Sequence, residues 1–254
     1  MKRVEGLARL SISGETGESV IQAEEVLLAA GRKPNIEGLD LEKAGVNFNR
    51  QGIIANKHLN TSTTNIFASG DVTDRIHLVG GAEHQGLVAA NNALLPFKQS
   101  VTLDDIAWTV FTNPPLAHVG QTEEQVKEDY GFAYTVYRQE FKNIGRAQLE
   151  QETTGFAKYL CDQNGCLLGA HIFGPGAEAA AQELQLLKAL GKPLSRLHNI
   201  KHVFPTYSEA TVKRLADIVY LQKMESNPIV RMALKLLPGF RNNISAVISQ
   251  LENS

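Results

Sequence analysis

The sequence predicts a mixed fold, in which an α/β part is followed by an α+β domain with an antiparallel sheet flanked by helices. Three observations lead to this prediction. A β-rich run over residues 20–30 is followed by glycine and proline, which break it. A short apolar strand at 66–69 leads into an apolar helix that stops at Pro96. From residue 102 onward, strand and helix signals follow one another in mixed order, as in α+β domains.

Turn and strand signals fill the first part. Residues 38–45 predict a short helix or turn that closes at its last glycine, and 52–55 predict a strand that pairs near 66–69. The helix after Gly80-Gly81 is rich in small residues, which favours close packing against a sheet. Residues 98–104 form a polar linker, where we expect the domain boundary.

The second part begins with a strand at 106–111 and a helix. Thr122 is suited to cap that helix, with Gln125 reaching back to complete a capping box, and the helix should end near Tyr130. Residues 134–141 alternate in polarity as a strand does.

A hairpin and two helices complete the second part. Strands at 155–161 and 166–173 flank Asp162-Gln163-Asn164-Gly165, which is a strong turn signal. A helix is then predicted over 177–190, ended by Gly191, and another from a Ser208 cap to about Met224.

Composition excludes some classes of protein. The 254 residues are 43% hydrophobic, enough for one or two cores, and the net charge of -2 gives no electrostatic footprint for nucleic acid. The sequence shows neither an apolar run of membrane-spanning length nor a signal-peptide pattern, so we expect a cytoplasmic protein with no membrane span.

Several segments carry a family resemblance. Residues 60–92 (NTSTTNIFASGDVTDRIHLVGGAEHQGLVAANN) resemble the second flavin-binding motif of the class I pyridine nucleotide–disulfide oxidoreductases, which include glutathione reductase, dihydrolipoamide dehydrogenase and mercuric reductase. Residues 26–35 (VLLAAGRKPN) resemble the exit from that family's NAD(P) domain, where Arg32 is expected to support the domain junction. Residues 111–125 (FTNPPLAHVGQTEEQ) resemble the start of its interface domain.

The resemblance implies FAD as a cofactor and assigns its contacts. Gly70 would let the backbone approach the flavin's ribityl chain closely, and the Asp71 carboxylate would accept hydrogen bonds from its hydroxyls. The following helix would present free N–H groups and its positive dipole end to the flavin. The expected cofactor-binding residues are Gly70, Asp71, His77, Leu78, Val79 and Gly80.

The resemblance also implies a function and a division into domains. The chain is expected to be the C-terminal part of a FAD-dependent oxidoreductase that passes electrons from NAD(P)H through FAD to a disulfide or other small-molecule acceptor. By itself it is expected to be an inactive, FAD-free homodimer. The expected domains are the end of an NAD(P)-binding domain (1–33), a piece of the FAD-binding domain (34–101), the dimerisation domain (102–225) and a tail (226–254).

The expected acid–base site departs from the family pattern His-x-His-Pro-Thr-x-Ser-Glu. This chain reads His202-Val203-Phe204-Pro205-Thr206-Tyr207-Ser208-Glu209, so Phe204 takes the place of the catalytic His and cannot carry a proton. The candidate catalytic residues are Glu209 and His202, the latter either a substitute base or a packed histidine. The Phe204 ring is expected near the dimer interface, where it would fill the place of the imidazole.

Two alternatives stay open. Mercuric reductase also has no His at that place, and Thr73-Asp74 is similar to its sequence, which favours a metal reductase. However, the C-terminal Cys pair that would deliver the metal is missing. The other alternative is a flavin-free dimerisation module.

Other residues predict no additional chemistry. Cys161 and Cys166 bracket the hairpin turn and are expected to be reduced thiols, or else a cross-strand disulfide. We predict no metal site, because two cysteines without Cys/His spacing do not suit zinc. The tail from residue 227 has apolar residues at helical spacing with basic residues between them. It is interpreted as a packing helix, or alternatively as a helix at a membrane surface.

Overall fold

The computed structural model describes residues 2–4, 7–14, 17–73, 77–101 and 106–236. Asp74, residues 102–104 of the predicted linker and the tail beyond residue 236 lie outside these ranges.

The chain opens with an antiparallel meander of β1 (Lys2–Val4), β2 (Leu7–Gly14) and β3 (Gly17–Ala23). The last pair between β2 and β3 joins Ala8 to Ala23. The prediction of a β-rich run to residue 30 is therefore wrong beyond Ala23. Because β2 begins at Leu7, residues after Ala23 have almost no β2 residue left to pair with.

A small hairpin follows, made of β4 (Phe48–Asn49) and β5 (Gly52–Ile53). The predicted turn over 38–45 is present, but β5 pairs with β4, and the predicted strand at 66–69 is only a single bridge from Phe67 to Asn60. The backbone contact is short: Thr61 N–H donates to Ile66 O (3.0 Å) and Ala68 N–H donates to Leu59 O (3.0 Å), and hydroxyl side chains add bonds to the same segment. Thr61 Oγ1 donates to Ile66 O (3.0 Å) and Ser62 Oγ to Gly45 O (2.7 Å).

Helix α1 (Val79–Leu94) follows the predicted span and ends before Pro96. Its buried Asn92 fixes the start of the linker: Nδ2 donates to the carbonyls of His58 (2.9 Å) and Gln99 (2.8 Å), and Oδ1 accepts from Gln99 N–H. The helix is thus joined at its C-terminal end to the loop that precedes the second part.

The second part is an antiparallel sheet with the order β6-β7-β10-β9-β8 and helices on both sides. The predicted hairpin and the predicted helix over 177–190 are present. The elements are β6 (Trp108–Val110), β7 (Leu116–Gly120), α2 (Glu123–Tyr130), β8 (Tyr134–Glu140), α3 (Gly145–Glu150), β9 (Phe156–Asp162), β10 (Leu167–Phe173), α4 (Ala177–Ala189), α5 (Arg214–Ser226) and α6 (Pro228–Leu236).

The largest hydrophobic core lies between this sheet and the helices α4 and α5. Tyr159, Phe141, Leu184 and Leu215 are almost completely buried in it. Gly174 has φ +152°, and a Cβ there would lie 2.4 Å from the Phe141 ring, so the ring's position depends on this glycine.

The capping box of α2 is confirmed. Thr122 Oγ1 accepts from Gln125 N–H (3.3 Å), and Gln125 Oε1 accepts from Thr122 N–H (2.8 Å).

The Ser208 cap was wrong, because Ser208 already has helical backbone angles (φ -62°, ψ -41°). Thr206 Oγ1 instead accepts from Glu209 N–H (3.1 Å), and the chain passes through a π-helical turn, Glu209–Lys213, into α5. None of the helices in the described ranges is both long and apolar enough to cross a membrane.

The cysteines do not face each other. Cys161 lies opposite Leu167, whereas Cys166 remains in the turn and bridges to Pro193. Both thiols are free in the described chain, and burial raises the pKa of Cys161 to about 12. Such a thiol stays protonated and unreactive at neutral pH.

Two histidines meet on the sheet face on the side of α2. His118 Nδ1 lies 3.2 Å from His171 Nδ1, and Trp108 stacks on the His118 ring with centroids 4.9 Å apart. Burial, together with His118 and Lys158, lowers the pKa of His171 to about 4, against smaller opposing effects of Gln121 and Glu124. His171 is therefore a neutral imidazole in the folded protein at neutral pH.

We expect His171 to make stability depend on pH. Its pKa is lower in the folded state than the ordinary 6.5, so only the unfolded chain takes up this proton between pH 6.5 and about 4. Its contribution is present above pH 6.5 and is lost as pH falls towards 4. In urea titrations from pH 7.5 to 4, the free energy of unfolding should fall less in His171→Gln than in the wild type. His84→Gln, at an exposed position, should show the same fall as the wild type. An equal fall in the free energy of unfolding with pH in the wild type and in His171→Gln would refute the assignment.

Candidate flavin site and interface loop

The predicted flavin residues lie on a turn and on the helix that follows it. Gly70 has φ +74° and opens a single turn, Gly70–Val72, whose carbonyl at Gly70 accepts from Thr73 N–H (3.0 Å) and Thr73 Oγ1 (2.8 Å). Gly70 N–H donates to Oε1 of Gln85, a completely buried residue of α1, at 2.9 Å. The turn and the helix are therefore held as one unit.

Arg32 connects two parts of the predicted site. Its Nη1 donates to Asp71 Oδ2 at 2.7 Å, and its Nη2 donates to the carbonyl of His77. Both side chains of the ion pair are about half exposed, so a ligand could still reach the Asp71 carboxylate. The sequence placed Arg32 only at the domain junction, because 39 residues separate it from Asp71.

The N-terminus of α1 is open to ligands. The side chain of Leu78, which precedes the helix, cannot accept a hydrogen bond, so the first N–H groups, from Val79 to Gly81, keep their hydrogen-bonding capacity. These groups border a cleft of about 390 Å³ that also contacts Trp108 and Glu178. A Cβ built on Gly80 would meet nothing within 4 Å, which leaves the approach to the backbone unobstructed.

These residues fit a flavin. The helix N-terminus donates hydrogen bonds and carries partial positive charge, which suits the carbonyl oxygens of the flavin's pyrimidine ring, and the Asp71 carboxylate suits ribityl hydroxyls. Gln85 Nε2 is buried and has no hydrogen-bond partner among the described residues. A buried amide N–H without a partner costs free energy, so this donor keeps an unused hydrogen-bonding capacity beside the turn that carries Asp71.

His202 is held by a residue that the sequence did not indicate. Its Nε2–H donates to Glu183 Oε1 of α4 at 2.7 Å, and its side chain is 8% exposed. Glu209 is partly buried near Arg214, whose pKa is lowered by burial and raised by the Glu209 charge. The structure therefore does not pair the two candidate catalytic residues with each other.

Phe204 lies at the surface of the single chain, with 79% of its area exposed. It borders a groove of about 500 Å³ that is lined largely by apolar groups, among them Ile144, Leu149 and Pro205. Arg146 Nη1 donates to the Pro205 carbonyl at 2.8 Å and holds this loop against α3.

A second contact supports the same loop. Tyr207 O–H donates to Glu150 Oε2 at 2.7 Å, and Arg146 forms an ion pair with the other carboxylate oxygen. The Tyr207 and Arg146 bonds lower the pKa of Glu150, and burial together with the Glu150 bond raises the pKa of Tyr207 to about 12. Phe204 is thus presented to solvent on a firmly held loop.

Family models match both parts of the chain. Residues 1–86 match the pyridine nucleotide-disulphide oxidoreductase model, and residues 106–215 match the dimerisation domain of the same family. The chain belongs to the pyridine nucleotide–disulphide oxidoreductase family, and the fold class predicted from the sequence is confirmed.

Curated relatives are longer than this chain. A mercuric reductase of Staphylococcus aureus is 40% identical over 170 residues, which are 66% of this chain and 30% of the relative. Dihydrolipoyl dehydrogenase 3 of Pseudomonas putida is 35% identical over 199 residues, 78% of this chain and 42% of the relative. The chain spans less than half the length of these relatives.

Solved structures share the fold. The HOCl-induced flavoprotein disulfide reductase RclA from Escherichia coli superposes with a TM-score of 0.67 at 28% identity, covering 82% of this chain and 47% of RclA. LpdA from Mycobacterium tuberculosis gives a TM-score of 0.71 at 24% identity, covering 85% of this chain and 48% of LpdA. At this identity the likeness supports the fold alone.

We expect the Glu183 contact to stabilise the loop that leads to Phe204. Glu183→Ala removes a charge-assisted hydrogen bond from a buried imidazole, so the free energy of unfolding should fall by about 1.5–3 kcal/mol in urea titrations. Gln182→Ala, at the neighbouring exposed position on α4, should change it by less than about 0.5 kcal/mol. Equal stabilities of the two variants would show that His202 does not need this partner.

Proposed function

We propose that this chain forms the ribityl and pyrimidine side of the flavin site, and the subunit interface, of a FAD-dependent NAD(P)H oxidoreductase. The observation that carries the proposal is the joining of Asp71, the His77 carbonyl and the open N-terminus of α1 through Arg32 and Gln85. The family models and the flavoprotein among the similar structures support the same assignment.

Each group would have a distinct task. When bound, the flavin accepts a hydride from NAD(P)H and passes the electrons on. Asp71 would orient the ribityl chain by accepting hydroxyl hydrogen bonds, and the hydrogen bond from Arg32 would hold that carboxylate in position. The N–H groups from Leu78 to Gly80, with His77 beside them, would bind the electron-rich edge of the ring and stabilise negative charge there.

The domain division follows the same logic. We keep residues 1–33 as the end of an NAD(P)-binding domain, 34–101 as a piece of the FAD-binding domain, 102–225 as the dimerisation domain and 226–254 as a tail. The linker anchored by Asn92 and the family match over 106–215 support the boundary near residue 101. We also propose a cytoplasmic location for the protein.

The acceptor is a disulfide or another small molecule, and Phe204 favours an acceptor that needs no imidazole base from this position. The same observation supports a metal reductase as the second candidate, in line with the mercuric reductase among the similar proteins. His202 is a poor substitute base because its ring is buried against Glu183. Glu209 remains the acidic candidate on the groove beside Phe204.

Replacement of Asp71 tests the flavin assignment. In the full-length protein, Asp71→Ala should weaken FAD binding by about 1.5–3 kcal/mol, the range for hydrogen bonds to a charged group. Glu37→Ala is the matched control, because it removes another exposed carboxylate held by a cation, Lys33. Flavin absorbance per protein after gel filtration measures the loss. Full occupancy of Asp71→Ala would contradict the site, and equal loss in both variants would mean a general effect on stability.

Phe204 tests the interface. We propose a homodimer through residues 102–225, with the exposed Phe204 ring buried by the partner. Phe204→Ala should raise the dimer dissociation constant at least about tenfold in sedimentation equilibrium, as expected for a central aromatic residue. Phe132→Ala removes a ring that is 93% exposed at another site and should leave the constant unchanged. An unchanged dimer in Phe204→Ala would place Phe204 outside the interface.

A further inference from the structure

Helix α6, the last helix within the described residues, begins as an independent element after α5. Asn227 Oδ1 accepts from Ile229 N–H (2.9 Å) and Val230 N–H (3.4 Å), which caps the helix, and Pro228 occupies its first position. The cap fixes the start of α6 at the end of α5, with which it makes contact.

One side of α6 exposes apolar groups. Ile229 and Met232, three residues apart and therefore on the same face, are 75% and 65% exposed. Val230 is only partly exposed. Large apolar groups at helical spacing on a surface favour contact with an apolar phase.

The charge of this segment is opposite to that of the whole chain. Residues 227–254 contain Arg231, Lys235 and Arg241 against one acidic residue, Glu252, whereas the chain has 25 basic and 27 acidic residues. Helix α6 thus combines its exposed apolar groups with a net positive charge, because Arg231 and Lys235 are opposed there by no acidic residue. That combination suits the interface of a membrane with anionic lipids.

We propose that α6 docks on the surface of an anionic lipid bilayer, with Ile229 and Met232 entering the headgroup boundary and Arg231 facing the lipid phosphates. A second copy of the same helix fits less well. A two-fold contact between two copies of α6 would bring like charges together. The membrane contact is independent of the flavin assignment.

Vesicle cosedimentation of the 254-residue chain tests the proposal. Binding should be clear with vesicles of 70% phosphatidylcholine and 30% phosphatidylserine, weak with phosphatidylcholine alone, and reduced in 0.5 M salt. Arg231→Gln with Lys235→Gln should weaken binding roughly 20- to 30-fold, about fivefold per basic residue. Lys192→Gln with Lys201→Gln gives the same change in net charge at exposed positions elsewhere and should leave binding nearly unchanged.

The apolar contact is tested separately. Ile229→Asp should reduce vesicle binding at least about tenfold. Phe132→Asp, at an exposed apolar position between α2 and β8, should leave vesicle binding unchanged. Circular dichroism confirms that each variant is folded. Equal binding of all variants, or binding that ignores phosphatidylserine, would overturn the proposal. Loss of self-association by Ile229→Asp, without vesicle binding by the wild type, would assign the face to a second copy instead.

Discussion

The hydrogen bond from Gly70 N–H to the buried Gln85 side chain is the contact on which the flavin assignment depends. It joins the turn that carries Asp71 to the helix whose N-terminus faces the cleft, so the acceptor and the donors keep a fixed relation. A buried amide is costly unless it is bonded, and therefore the two elements cannot separate easily. Arg32 adds a link from a distant segment to both Asp71 and the His77 carbonyl.

A comparable arrangement supports the interface loop. Gly174 admits the Phe141 ring, Phe141 stacks on Tyr207 with centroids 5.7 Å apart, and Tyr207 is bonded through Glu150 to Arg146. The chain thus uses its core to hold a loop whose most prominent residue, Phe204, is apolar and exposed. Such a loop is suited to binding another surface and unsuited to transferring a proton at that position.

The sequence predicted elements whose signals are local. The Thr122 capping box, the hairpin at Asp162-Gly165 and the helix ended by Gly191 were all confirmed, because each depends on a few adjacent residues. Ser208 failed because Thr206, two residues earlier, offered the same hydroxyl at the true helix start.

Contacts between distant segments could not be predicted from the sequence. Arg32 with Asp71 and His202 with Glu183 join residues on different elements, and no spacing rule relates them. The same limit applies to the strand predicted at 66–69, which makes only a short contact with residues 59–61. The positions of the predicted flavin residues came from a family resemblance, and their support by Gln85 and Arg32 became visible only in three dimensions.

Hydrogen exchange on the full-length protein, with and without FAD, tests the central claim most directly. If the N-terminus of α1 binds the flavin, the amides of Val79, Gly80 and Gly81 should exchange much more slowly when FAD is present. The amides at the start of α2, which are already bonded within the capping box, should exchange at the same rate in both states. Unchanged exchange at Val79 to Gly81 in the flavin-loaded protein would contradict the account.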